Sequence, residues 1–197
     1  MCPPFPDVST DDFVMTYNPD IHHRRSIRLK HYDYSQSGAY FITICVNQKL
    51  CLLGAVHNGE MVLNDAGTML EKWYWELECK FSSIQCGPHV VMPNHFHAII
   101  YIVGADLRTR PNQTGQTHRS ASTNTNIPKI VQWFKTMTTN EYIRNVKTNH
   151  WKPFSGKLWQ RNYYEHIIRN EESFSEIAEY IVNNPMKWVD DTLYMVP

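Results

Sequence analysis

A chain of 197 residues, 42% hydrophobic and 13% aromatic, is long enough to bury a core, which excludes a disordered tail or linker. Nineteen basic side chains balance nineteen acidic ones, which excludes a uniformly basic nucleic-acid coat, so an anionic partner must be met by local charge. The five cysteines form no CxxC pair and the longest clean apolar run is strand-sized; a disulfide framework, a cysteine zinc site, a secretion signal and a membrane span are all disfavoured, and a reducing cytoplasm is expected.

Residues 1–20 carry Pro3, Pro4, Pro6 and Pro19 without an apolar period and read as a flexible leader. Residues 21–197 read as one domain, opened by the strongly basic IHHRRSIRLKH. AYFITICV, residues 39–46, is aromatic and β-branched, hence a strand. LLGAVHNGEMVL places Asn58-Gly59 between two apolar runs, a hairpin turn. In NDAGTMLEKWYWELECKF, Met69, Leu70, Trp73, Leu77 and Phe81 recur at helical spacing, and Asn64 or Asp65 can cap the helix. HVVMP and HFHAIIYIV are two strands parted by Pro93 and Asn94. Residues 104–127, dense in Thr, Asn, Ser and Gly, read as a polar insert. PKIVQWFKTMTTNEYIRNVK is a helix opened by Pro128. WKPFSGKLWQRNYYEHIIR is a strand with a loop, and NEESFSEIAEYIVNNPMKW is a helix that Asn170 can cap and whose continuation Pro185 prevents. This order predicts an α+β fold, one sheet with helices packed on a face.

Two features carry chemistry. In a strand, residues i and i+2 share a face, so His95 and His97 aim both imidazoles the same way, with Phe96 on the other side. Two neutral imidazoles suit a divalent metal, although a pair of surface histidines is the plain alternative. On the last helix Tyr180 and Asn184 are four apart and share a face bordering the apolar stripe Phe174, Ile177, Ala178 and Ile181. Tyr180 is there either a nucleophile or an ordinary helix tyrosine, and Tyr163 and Tyr164 are rival candidates. Glu165 and His166 alternate along an extended segment, so both cannot readily face one site.

VVMPNHFHAII followed by LWQRNYYEHIIRNEESFSEIAEYIVNNPMKW resembles the single-tyrosine HUH transposases, in particular the REP-associated tyrosine transposases, over roughly residues 24–190. The resemblance implies a ferredoxin-like antiparallel sheet with helices on one face. It also implies Tyr180 as nucleophile, His95 and His97 as metal ligands with Asn184 assisting, and Mg²⁺ or Mn²⁺ as cofactor. The implied activity is cleavage and rejoining of single-stranded, hairpin-bearing DNA through a covalent 5′-phosphotyrosine, by a monomer or a homodimer. Arg24, Arg25, Arg28 and Lys30, four charges within seven residues, are the expected DNA contacts; Lys135, Arg144, Lys147, Trp159 and Tyr163 are further candidates. A silent relative that only binds structured single-stranded DNA or RNA, and a metal-dependent hydrolase using water, are the alternatives.

Overall fold

The computed structural model describes residues 33–103 and 125–195. Its centre is a four-stranded antiparallel sheet of β1 (Gly38–Cys45), β4 (Ile84–Met92), β5 (His95–Ile102) and β6 (Tyr164–Ile168), in the order β4-β5-β1-β6. A separate hairpin, β2 (Gly54–His57) and β3 (Glu60–Leu63), follows β1. The helices are α1 (Asp65–Lys80), α2 (Ile127–Thr148) and α3 (Glu171–Asn183). Without the small hairpin and α3 this is β-α-β-β-α-β with the outer strands second and last, the ferredoxin-like arrangement that was expected.

Local chemistry sets these elements. Asn58 and Gly59 both take positive φ, 52° and 80°, as a type I′ hairpin turn requires. Asn64, not Asp65, caps α1: its side chain accepts the Gly67 N–H at 3.0 Å. Asn126 and Asn170 do the same for α2 and α3, accepting from Lys129 N and Ser173 N. Ile127, at the end of the expected insert, is fully buried and belongs to α2; residues 104–124 of that insert, and the leader, lie outside the described residues.

Alternation along the strands divides the core. Tyr40, Ile42 and Ile44 of β1 and Phe96, Ala98, Ile100 and Ile102 of β5 pack with α1 and α2. Phe41 and Ile99 point the other way and meet Ile168 and Ile181, with Phe174, Ile177 and Ala178 of α3 alongside. The two long helices thus cover one face as anticipated, but α3 does not join them; it lies on the opposite face. An apolar stripe dictates that a helix docks, not which side of the sheet receives it.

Two boundaries differ from expectation. β4 begins at Ile84, well before HVVMP, and a bulge between Cys86 and His89 breaks its register. Gly87 sits in the bulge, where a Cβ would press on the Ile99 carbonyl and the Tyr101 ring. The Tyr74 hydroxyl takes the Gly87 N–H at 2.9 Å and donates to Ile99 O at 2.7 Å, satisfying the backbone there. Pro185 does end α3, yet the chain keeps coiling as a 3-10 turn over Pro185–Asp190. No helix among the described residues is long and apolar enough to cross a membrane.

Candidate active site

β5 presents His95 and His97 on the α3 side of the sheet, 0% and 3% exposed, with ring centroids 4.5 Å apart. Each is held by a neighbour. His97 Nδ1 lies 2.8 Å from Thr43 Oγ1, directly across the β1–β5 pairing. His95 Nδ1 lies 2.8 Å from Asn94 Oδ1. The Asn94 amide donates to Lys49 O at 3.1 Å and to Leu193 O at 2.8 Å. Those two carbonyls fix which end of the amide is nitrogen. Its oxygen therefore accepts the His95 Nδ1–H, leaving His95 Nε2 with a bare lone pair.

That lone pair meets other acceptors. Asp191 Oδ2 stands 4.0 Å away, 9% exposed, while its Oδ1 accepts the Leu193 N–H at 2.6 Å. His95, His97 and Asp191 each turn one ligand atom into a space where all such atoms lie within 4.8 Å of one another. Asn184 is 2% exposed, and neither its Oδ1 nor His95 Nε2 has a hydrogen-bond partner. Burial holds the imidazole of His95 down to about 3, with the Asn184 amide pulling the other way. His97 is also held down to about 3 by burial, reinforced by His95 and opposed by Asp191. Both rings are neutral at pH 7, so the His95–Asp191 approach is not an ion pair. His95 Nε2, Asn184 Oδ1 and the Asp191 carboxylate offer lone pairs that fit a cation, and His97 Nε2 adds another in the tautomer that carries its proton on Nδ1.

Tyr180 reaches the same place from α3. Its hydroxyl is 3.3 Å from His97 Nε2, its ring packs edge-on to His97 and Phe41, and it is 42% exposed. Burial and the Asp191 charge raise its phenol above the usual value, opposed by a bond from Asn184. Asn184, one turn on and packed beside both groups, follows α3 as the spacing predicts.

The remaining expectations sort by face. Tyr163 packs into the α1–α2 core with Lys135 Nζ 5.5 Å over its ring, away from the histidines. Tyr164 shares the histidine face but stands one strand further out, with Thr43 of β1 between it and His97, and packs edge-on to Phe41 at 6.3 Å. Glu165 pairs with Ile42 on the α1–α2 face and His166 with Phe41 on the other, so the two do diverge. Trp159 is core, its Nε1–H bonded to Thr138 Oγ1. Lys135 spends its ammonium on the carbonyls of Gln160, Arg161 and Asn162, whereas Arg144 and Lys147 stand exposed on α2, the helix on the far face. Arg24, Arg25, Arg28 and Lys30 lie outside the described residues. Asp191 was missed: it sits beyond Pro185, where no helical or strand period reaches.

Comparison with known proteins matches residues 117–184 to the family model described as "Transposase IS200 like"; the span holds Tyr180 and Asn184. An uncharacterized protein of Haemophilus influenzae is 42% identical over 91% of this chain and 97% of its own length. A protein of the same organism described as a putative REP-associated tyrosine transposase is 21% identical over 79% of this chain and 74% of its own. Among solved structures, a REP-associated tyrosine transposase bound to a REP hairpin aligns with a TM-score of 0.49 at 19% identity, covering 81% of this chain and 73% of the other. A putative transposase from Deinococcus radiodurans aligns at 0.43 and 16% identity, covering 79% and 97%. Over residues 117–184 the chain is thus similar to the IS200-like transposases, and over most of its length it resembles, more distantly, a putative REP-associated tyrosine transposase.

Proposed function

We propose that this transposase cuts and rejoins single-stranded, hairpin-bearing DNA through Tyr180, with a divalent cation held by His95, His97 and Asp191 and with Asn184 Oδ1 as a further donor. The observation that carries the reading is the convergence of one phenol and four buried lone-pair donors, two of them lacking any hydrogen-bond partner. A mixed imidazole–carboxylate–amide set suits Mn²⁺ or Mg²⁺, with imidazole favouring Mn²⁺. When bound there, the cation would supply charge stabilisation to the scissile phosphate.

The protein's own groups perform the rest. Thr43 and Asn94 lock the two imidazoles so that both Nε2 atoms face the site. The ring of Phe41 wedges between β6 and Tyr180, restricting the phenol to the mouth of the site. In the reaction, the Tyr180 Oη–phosphorus bond forms while the phosphorus–O3′ bond breaks. The phenol gives up a proton and the departing 3′ oxygen gains one, so the bond is conserved as a 5′-phosphotyrosine. Attack by a 3′-hydroxyl then reverses the step and joins strands without an outside energy source. Arg24, Arg25, Arg28 and Lys30 supply the phosphate contacts of a hairpin stem in this reading.

The test is incubation with Mn²⁺ and a library of labelled hairpins bearing single-stranded arms, followed by denaturing electrophoresis. A covalent adduct lost in Tyr180→Phe and without metal is expected. Cleavage with no adduct would put water in the place of tyrosine, and an adduct surviving Tyr180→Phe would move the nucleophile.

A further inference from the structure

The transposase reading leaves one surface beside the site without a role. β6 is the outer strand of the sheet, and no described strand pairs with its far side. On the α3 face it exposes Tyr164, 53% accessible, and His166; Arg161 and Arg169, both exposed, flank the strand. A tyrosine ring left half in water is common; one built into a continuous aromatic row is not. Tyr164 packs edge-on to Phe41 at 6.3 Å, and Phe41 stacks on His97 at 5.4 Å and meets Tyr180 edge-on at 6.2 Å. Both Tyr164 and His97 pair across β1 with the same residue, Thr43.

The entry to the strand is held by one lysine. Lys135 reaches across from α2 and donates to Gln160 O at 2.9 Å, Asn162 O at 3.2 Å and Arg161 O at 3.5 Å. The loop that enters β6 is pinned through its backbone, and the Arg161 side chain does not hold it.

We propose that the outer edge of the sheet is a single-stranded-DNA platform, on which Tyr164 stacks a base of the arm flanking the scissile phosphate while Arg161 and Arg169 meet adjacent phosphates. Aromatic and basic side chains set along one exposed edge are the chemistry by which single strands are held without sequence readout, because every base has a π-face. Two ring steps of 6.3 and 6.2 Å link Tyr164 to Tyr180, so the stacked base belongs to a nucleotide within a few positions of the cut. The inference rests on the function proposed above, which names the substrate but assigns this edge nothing.

The experiment uses full-length Tyr180→Phe protein, so that no strand is cut, and a hairpin with a single-stranded arm of about ten nucleotides carrying 2-aminopurine at each position in turn. Stacking quenches its emission. Quenching at one or two adjacent positions is expected, lost in Tyr164→Ala together with about five- to hundredfold of affinity, and kept in Tyr164→Phe. Replacing Arg161 and Arg169 by Ala should lower the dependence of log affinity on log salt by about one each. Quenching that persists in Tyr164→Ala, or binding by anisotropy without quenching anywhere, overturns the platform alone. An arm and hairpin that do not bind at all overturn the transposase substrate reading and the platform with it. Tyr164 is exposed, so circular dichroism and thermal melting of Tyr164→Ala should match the parent protein.

Discussion

Asn94 is the hinge of the site, and removing its amide has two separable effects. The side chain is fully buried and makes three hydrogen bonds, to His95 Nδ1, Lys49 O and Leu193 O. At about 1 kcal/mol net for each, Asn94→Ala should cost about 3 kcal/mol, rising if the two carbonyls stay dry. For a chain of this size each kcal/mol is worth about 2–4 °C, so the melting midpoint should fall by about 6–12 °C. The second effect is on His95, whose tautomer is no longer imposed; Mn²⁺ affinity should drop about ten- to hundredfold. Asn94→Asp separates the two. It keeps an acceptor for His95 Nδ1–H but turns a carboxylate oxygen on two carbonyls, so stability should fall while Mn²⁺ binding is retained. Calorimetric titration with Mn²⁺ and differential scanning calorimetry read both quantities on the same samples. A midpoint within about 2 °C of the parent, or equal loss of metal affinity in both variants, would refute the account of Asn94.

Asp191→Asn keeps an acceptor for the Leu193 N–H but removes the charge facing His95, and Mn²⁺ affinity should fall at least tenfold in titration with little change in melting; an unchanged affinity would remove Asp191 from the site. Tyr180→Phe deletes one part-buried hydroxyl whose contact with His97 Nε2 is long, so covalent adduct should vanish while stability by urea unfolding falls by no more than about 1 kcal/mol. The histidines give a pH signature. Their folded values of about 3 lie below the unfolded 6.5, so as pH falls below about 6.5 the unfolded state takes up protons the folded state refuses, and stability declines towards pH 3. Urea midpoints measured from pH 8 to 4 should be flat above 6.5 and fall below it, and the fall should shrink in His95→Gln. Gly67→Ala should be severely destabilising by melting, because a Cβ there would collide with the Leu53 carbonyl oxygen and the Leu63 side chain, both close against α1.

The parts of this molecule that follow a period were legible from sequence. His95 and His97 shared a face because strands alternate, and Tyr180 and Asn184 met because helices repeat near four. The Asn-Gly turn and the Asn170 cap were equally local; the α1 cap was narrowed to Asn64 or Asp65, and Asn126, inside the expected insert, was not singled out. What failed was non-periodic. IQCGP, with its glycine and proline, hid the first half of β4 because a bulge satisfies neither template. Asp191 is placed by a 3-10 turn and by a hydrogen bond from Asn94 to Leu193, ninety-nine positions away in sequence. The side of the sheet that α3 covers was invisible for a related reason: its stripe is complementary to either face, and the choice belongs to the shapes of β4 and β5.

That choice has a consequence for when the site exists. α1 and α2 each bury six residues, whereas α3 buries only Ile181 completely. Detaching α3 uncovers only the smaller cluster of Phe41, Ile99, Ile168 and Ile181, so its opening costs less than unfolding the sheet. Amides of α3 should then exchange with solvent through a partial opening that leaves β1, β4 and β5 protected. The imidazole pair persists through that opening because Thr43 and Asn94 hold it from the sheet side, while Tyr180 leaves and returns. The protein can therefore keep its two histidines in register while its phenol is away, so that the two halves of the site need not form and part together.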